Sequence, residues 1–199
     1  MTPPFTVLHV CMGNICRSPM AERMLRGRAA EIVGDRVDDL LHSHSVGTGG
    51  WHVGEPMQPP AARQLRRLGM DPEGHAARRL ALEHIEASDL ILTATVDQWE
   101  FVTSLAPDAA SRVFVLGQFG RLLGQTELVD LPPVAHTPEA VHARGVALVD
   151  LVDRVRKGSD PIPQDDLADP YGMDDRFYAR VADQIDATVR PLAVALLRG

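Results

Sequence analysis

The stretch Val10-Cys11-Met12-Gly13-Asn14-Ile15-Cys16-Arg17-Ser18-Pro19 constrains this chain more than any other. The apolar run Phe5 to Val10 before it, rich in β-branched and aromatic residues, predicts a buried strand. After it, Ser18 reads as a helix N-cap and Pro19 as the first helical residue, with Ala21, Met24 and Leu25 at helical spacing. The segment is therefore a strand, a tight loop and a helix start, with a cysteine at one end of the loop and an arginine at the other. Successive loop N–H groups, the unsatisfied N–H groups of the helix and its dipole converge on one point, which suits an oxyanion. A thiol facing that point has its thiolate stabilised. Arg17 can close the ring with a planar fork that matches two phosphate oxygens. A thiolate, an anion cradle and an arginine together serve nucleophilic attack on phosphorus.

The spacing Cys-x5-Arg is weak by itself. With its strand, Gly13, Asn14, Ser18 and Pro19, the stretch Cys11 to Pro19 resembles the signature of the low-molecular-weight protein tyrosine phosphatases. The likeness extends from Phe5 to about Leu123 and from Asp166 to the end. It implies that Cys11 is the nucleophile, Arg17 the phosphate clamp, and Met12, Gly13, Asn14, Ile15, Cys16 and Ser18 the rest of the phosphate-binding loop, the Ser18 hydroxyl bonding the thiolate. It also implies a reversible Cys11–Cys16 disulfide under oxidation, which two thiols in one short loop make physically reasonable.

The 199 residues suit one domain, here 1–199, with an insertion at about 124–165. Hydrophobic content of 45% and charged content of 24% are those of an ordinary globular protein, and a formal charge of −7 argues against a general nucleic-acid binder. Both cysteines lie in the opening motif, so there is no disulfide framework and no zinc spacing. The N-terminus lacks the basic region of a signal peptide, and no stretch approaches the ~18 apolar residues of a membrane span. A reduced cytoplasmic protein without cofactor or metal is expected, signal-independent export remaining compatible. His42, His44 and His52 lie near one another in sequence but bring no third ligand at ordinary metal spacing. His9, His84, His136 and His142 read as packing or surface.

Along the chain, strands are expected at Leu40–Val46, Leu90–Ala94 and Val113–Leu116. Helices are expected to about Ala30, then over Pro59–Leu68 with Ala62, Leu65 and Leu68 inward, Gln98–Leu105, Pro138–Lys157 and Asp174–Leu197, with a short turn at Leu82–Glu86. The alternation predicts a three-layer α/β/α domain around a four-stranded, mainly parallel sheet. Ligands of such sheets sit beyond the carboxyl ends of the strands, where Cys11 falls.

Phosphoryl transfer from a phenol needs an acid for the leaving oxygen, and the loop 165–172 offers Asp165, Asp166 and Asp169. Spacing does not choose among them. The resemblance does: Asp169-Pro170-Tyr171 is similar to the family's Asp-Pro-Tyr motif, implying Asp169 as general acid and then base, with Tyr171 flanking the substrate ring. Likewise Ser45-Val46-Gly47-Thr48 and Gly74-His75-Ala76-Ala77-Arg78 resemble segments whose serine and histidine hold the loop asparagine, here Asn14, a residue type that tolerates positive φ. Met12 and Trp51 resemble an apolar rim for a flat ring. Three features depart from the family pattern: Thr93-Ala94-Thr95-Val96 replaces a Met-Asp dipeptide, Gly172 stands where many members have a second tyrosine, and the insertion precedes the acid loop. The implied function is metal-independent hydrolysis of protein phosphotyrosine through a cysteinyl-phosphate, with a bacterial tyrosine kinase as a typical partner of the family. Two other readings use the same loop: arsenate reduction with a small external thiol, and a non-catalytic phosphotyrosine-binding module.

Overall fold

A computed structural model describes residues 2–198. The sheet has four strands: β1 (Phe5–Cys11), β2 (Leu41–Gly47), β3 (Leu90–Thr93) and β4 (Val113–Val115), in the order β2-β1-β3-β4. Every pairing is parallel. Among the described residues, eight α-helices surround it: α1 (Arg17–Val33), α2 (Val37–Leu40), α3 (Pro59–Arg67), α4 (Leu82–Glu86), α5 (Val96–Leu105), α6 (Leu116–Leu123), α7 (Pro138–Arg156) and α8 (Asp175–Leu197). The expected three-layer α/β architecture is the one found.

β1 is buried along its whole length, so its alternating side chains feed two cores. Phe5, Val7 and Cys11 join the larger cluster with α1, α6, α7 and α8, whereas Leu8 and Val10 join a smaller one with Ile85 of α4 and Val102 of α5. Buried Arg28 of α1 holds Asp186 of α8 with two bonds of 2.7 and 3.0 Å, a bidentate pair that fixes one helix against the other.

Several boundaries depart from the sequence expectation for physical reasons. α1 starts at Arg17 with Cys16 as its N-cap and no side-chain cap, so Ser18 and Pro19 lie inside the first turn. The Ser18 hydroxyl is drawn instead to the loop, as described below. The inward face of α3 is Ala61, Gln64 and Leu65, with Ala62 and Leu68 only half-buried. β4 ends at Val115, and Leu116 opens α6, whose buried Leu116, Phe119, Leu122 and Leu123 carry the helical spacing that the short apolar run concealed.

α7, flanked by prolines and distinct in composition, is tied into the core rather than laid over it. Gly145 comes so close to the Phe5 ring that a Cβ there would meet ring carbons at 2.3–2.7 Å. The Arg156 guanidinium lies 4.2 Å from the Phe114 ring centroid and donates to the Val113 carbonyl at 2.8 Å. With Phe5 opening β1, α7 covers the end of the sheet opposite Cys11.

Gly145→Ala should therefore lower unfolding free energy by roughly 1–3 kcal/mol in urea titration, because the buried Phe5 ring has nowhere to yield. Acid should also destabilise the fold. Burial, with a nearby histidine second, holds His9 and His44 down at about 3. In the unfolded chain they titrate near ~6.5. Below that pH the unfolded state binds protons that the native state refuses, so stability falls as pH drops, by up to about 1.4 kcal/mol per pH unit for each histidine. Asp38 beside Arg26 and Asp175 beside Arg63 are held below the usual carboxylate range, so their contribution is lost only at lower pH. The urea midpoint should drop steadily from pH 6.5 to 4.5; a flat midpoint across that window would contradict the burial of these histidines as neutral groups.

Candidate active site

The last register pair of β1 and β2 sets Cys11 beside Gly47 at the carboxyl edge of the sheet. Gly47 has no room for a side chain: a Cβ would meet the Met12 carbonyl oxygen at 2.6 Å and Asn14 N at 3.0 Å. Just beyond the pair, Thr48 N and Gly49 N donate to the Cys11 and Met12 carbonyls, both at 2.9 Å, and Gln58 N donates to Ile15 O at 2.8 Å. The loop is thus clamped from outside through its carbonyls. Among the described residues, the N–H groups of Gly13, Ile15 and Cys16 donate to no protein acceptor, which leaves them free for an anion.

Asn14 is the hub. It is fully buried with φ at 55°. Its Nδ2 donates to Ser18 Oγ (2.9 Å) and Ser45 Oγ (2.8 Å), and its Oδ1 accepts from Arg78 N at 2.8 Å. His75 Nε2 donates to its carbonyl at 2.7 Å, and its own N–H donates to Cys11 Sγ at 3.3 Å. Burial lowers the His75 pKa. Ser45 Oγ in turn donates to Glu22 Oε2 of α1 at 2.6 Å. Ser45, His75 and Asn14 therefore meet around the loop, together with Glu22 and Arg78, which sequence reasoning did not pick out. Their signal lies in contacts between distant segments, not in any local pattern.

Ser18 Oγ lies 3.0 Å from Cys11 Sγ and 3.3 Å from the Val46 carbonyl. Cys16, the other loop cysteine, is buried with its sulfur 3.4 Å from the Tyr178 hydroxyl, and burial pushes its thiol up to about 12.

Arg17 is 5% exposed. Its Nη1 donates to the Leu167 carbonyl at 3.0 Å and its Nη2 to Asp169 Oδ2 at 2.9 Å. The three aspartates of the acid loop are now distinguished by what they touch. Asp165 is buried, paired with Arg121 through two bonds and accepting from Ile162 N. Asp166 accepts from Val96 N at 2.8 Å and so caps the start of α5. Only Asp169, about half exposed, faces Arg17, with its other oxygen accepting from Tyr171 N at 3.2 Å. Leu167 N donates to Ala94 O at 2.8 Å, so the Thr93–Val96 segment that departs from the family pattern grips the loop on two sides.

Above the loop, Cys11, Gly13, Arg17 and Asp169 floor a cavity of about 290 Å³. Met12, Trp51 and Tyr171 line its mouth, 46%, 67% and 59% exposed. Trp51 is thus a rim residue, not part of the core. His52 lines the cavity as well, its ring against Gly13 and its Nδ1 2.8 Å from Glu55 Oε2. The structure separates it from the stacked pair His42 and His44, whose ring centroids lie 5.0 Å apart. Among the described residues no group of three or more His, Cys, Asp or Glu is placed to hold a metal ion.

A model of the low molecular weight phosphotyrosine protein phosphatases matches residues 6–137, about two thirds of the chain. The chain belongs to that family. The region shared with a low molecular weight protein-tyrosine-phosphatase of Bacillus subtilis (strain 168) is 36% identical over 101 residues, 51% of this chain and 63% of that protein. Low molecular weight protein-tyrosine phosphatase A of Mycobacterium tuberculosis (strain H37Rv) is 39% identical over 119 residues, 60% of this chain and 69% of its own length. The family match ends before α7 and the acid loop. A solved structure, the arginine phosphatase YwlE from Geobacillus stearothermophilus, covers 96% of this chain and 91% of its own with a TM-score of 0.65 at 23% identity, a likeness of fold.

Asn14→Ala should weaken inorganic phosphate binding at least roughly tenfold, since it leaves Arg78 N and the left-handed loop without their partner. A phosphate titration followed by 31P NMR measures this, with the melting curve as the check that the fold persists.

Proposed function

We propose that this chain hydrolyses aryl phosphates, protein phosphotyrosine above all, through a cysteinyl-phosphate. The observation that carries the reading is the convergence of Cys11, Arg17 and Asp169 on one cavity from the end of β1, the start of α1 and the acid loop.

Phosphate enters the cradle of loop N–H groups and takes the Nη2 edge of Arg17 now held by Asp169. Cys11 Sγ attacks phosphorus as the P–O bond to the phenol breaks. Asp169, protonated, gives its proton to the leaving oxygen, since the thiolate cannot be nucleophile and acid at once. In the second half the Asp169 carboxylate takes a proton from water, which attacks the phosphorus and releases phosphate and the thiolate. The Ser18 hydroxyl, 3.0 Å from the sulfur, turns its proton from the Val46 carbonyl to the thiolate, and Ser45 and His75 keep Asn14, and with it the cradle, in place. The apolar mouth of Met12, Trp51 and Tyr171 suits a flat aromatic leaving group better than the short side chain of phosphoserine. Among the described residues, its lining holds no carboxylate besides Asp169 to receive the guanidinium of a phosphoarginine.

A protein substrate is the corresponding partner, and a tyrosine kinase that produces it belongs to the same proposal. Among the described residues no helix is long and apolar enough to cross a membrane.

The test is phosphate release from a phosphotyrosine peptide at mildly acid pH in EDTA. Wild-type turnover should survive EDTA, vanish in Cys11→Ser, and fall in kcat by roughly 10²–10⁴ in Asp169→Asn. Binding of phosphate without any turnover would sink the hydrolase reading in favour of a binding module. Preference for phosphoarginine over phosphotyrosine peptide would overturn the assignment of the leaving group.

A further inference from the structure

Two buried polar atoms behind the loop have no hydrogen-bond partner in the protein: Arg17 Nε and His9 Nδ1. His9 stands two residues before Cys11, on the same face of β1 and beneath α1, and is 1% exposed. Its protonation state follows from its neighbours. The Ser43 hydroxyl donates to the Glu22 carbonyl at 3.0 Å, so at its 3.1 Å contact with His9 Nε2 it accepts. Nε2 therefore carries the ring proton and Nδ1 is a bare lone pair. Burial keeps the ring neutral at ordinary pH. On the other side, Arg17 Nε carries an N–H, a donor only. The two groups are of opposite sense, and their residues line one void of about 10 Å³, bounded also by Ser18, Leu116 and Leu167. A buried water needs about that space and two to four polar partners.

We propose that this void holds one structural water, which accepts from Arg17 Nε–H and donates to His9 Nδ1, making His9 a positioning residue for the guanidinium. The inference rests on the reading of Arg17 as phosphate clamp. Nη1 is committed to Leu167 O, and Nη2 must exchange Asp169 for phosphate. A third anchor at Nε holds the plane of the fork while that exchange takes place. Without it the fork can tilt about its remaining bond while Nη2 is changing partners, and a tilted fork meets the phosphate oxygens less well.

A crystal structure of the whole chain at better than about 1.5 Å should show an ordered water about 3 Å from both nitrogens. Long-range 1H–15N spectra of the imidazoles should place the His9 proton on Nε2, with Nδ1 shifted as an acceptor. His9→Phe should bind inorganic phosphate roughly three- to tenfold more weakly, the worth of one hydrogen bond, and raise KM in proportion with kcat little changed. A dry void, a proton on Nδ1, or a folded His9→Phe with wild-type phosphate affinity would each overturn the proposal. If His9→Phe does not fold, the wild-type crystal and spectra decide. Phosphate affinity is read without turnover, so a chain that shows this His9 dependence yet releases no phosphate from phosphotyrosine would sink the enzymatic reading and leave the water site standing.

Discussion

The hydrogen bonds of Asn14 hold the loop in a conformation that its own sequence does not favour. A non-glycine residue at positive φ is disfavoured, and a loop whose N–H groups turn inward forgoes the bonds of ordinary secondary structure. Both costs are met by a buried network that reaches Asn14 from α1, β2 and the segment around Arg78. Every polar group of Asn14 is partnered, so the network acts as a unit in a low-dielectric setting. Gly47 completes it, since only a residue without a Cβ lets β2 pass so close to Met12 and Asn14.

A second dependence runs through the acid loop. Three aspartates in five residues have the look of a solvated acidic turn, yet each has a separate task. Asp165 anchors the loop to α6, where Gly117 lies so close that a Cβ would meet the Asp165 carbonyl oxygen at 2.4 Å. Asp166 anchors it to α5. The Leu167 backbone then bridges Ala94, just past β3, and Arg17, so Asp169 arrives at the cavity on a segment already anchored. A half-exposed carboxylate two residues from the last anchor has freedom to swing between Arg17 and a leaving group.

The sequence made the opening motif legible because strand, loop and helix are contiguous there, so one local pattern specifies both geometry and chemistry. The same contiguity made the four strands and the long helices readable, with ends shifted by a residue or more. What stayed hidden was set by contacts between distant segments. α6 went unread, its first residue Leu116 reading as the tail of a strand, because a short apolar run carries no period of its own. For Ser18 the resemblance pointed to Cys11 while the local pattern pointed to a helix cap, and Asn14 and Val46 as neighbours decide between the two. Neither Glu22 nor Arg78 stood out, since a glutamate on a helix and an arginine in a loop are ordinary until Ser45 and Asn14 are placed beside them. The helix at Pro138–Lys157 was readable, but not its seat: the fit of Gly145 on Phe5 makes it part of the floor beneath β1.

Under the proposed function, the arrangement of Arg17 would couple binding to chemistry without any large movement. In the structure its guanidinium neutralises Asp169, so the carboxylate and a phosphate dianion are rivals for one edge of the fork. In the proposed hydrolysis, filling the cradle would release Asp169 from its cation at the moment a leaving oxygen needs a proton donor nearby. The exchange calls for little motion in Arg17, buried and held by Leu167 O, and more in Asp169, about half exposed. In the proposed reaction the rigid partner is the one assigned to hold the phosphate and the mobile one to move the proton, and their burial suits that division.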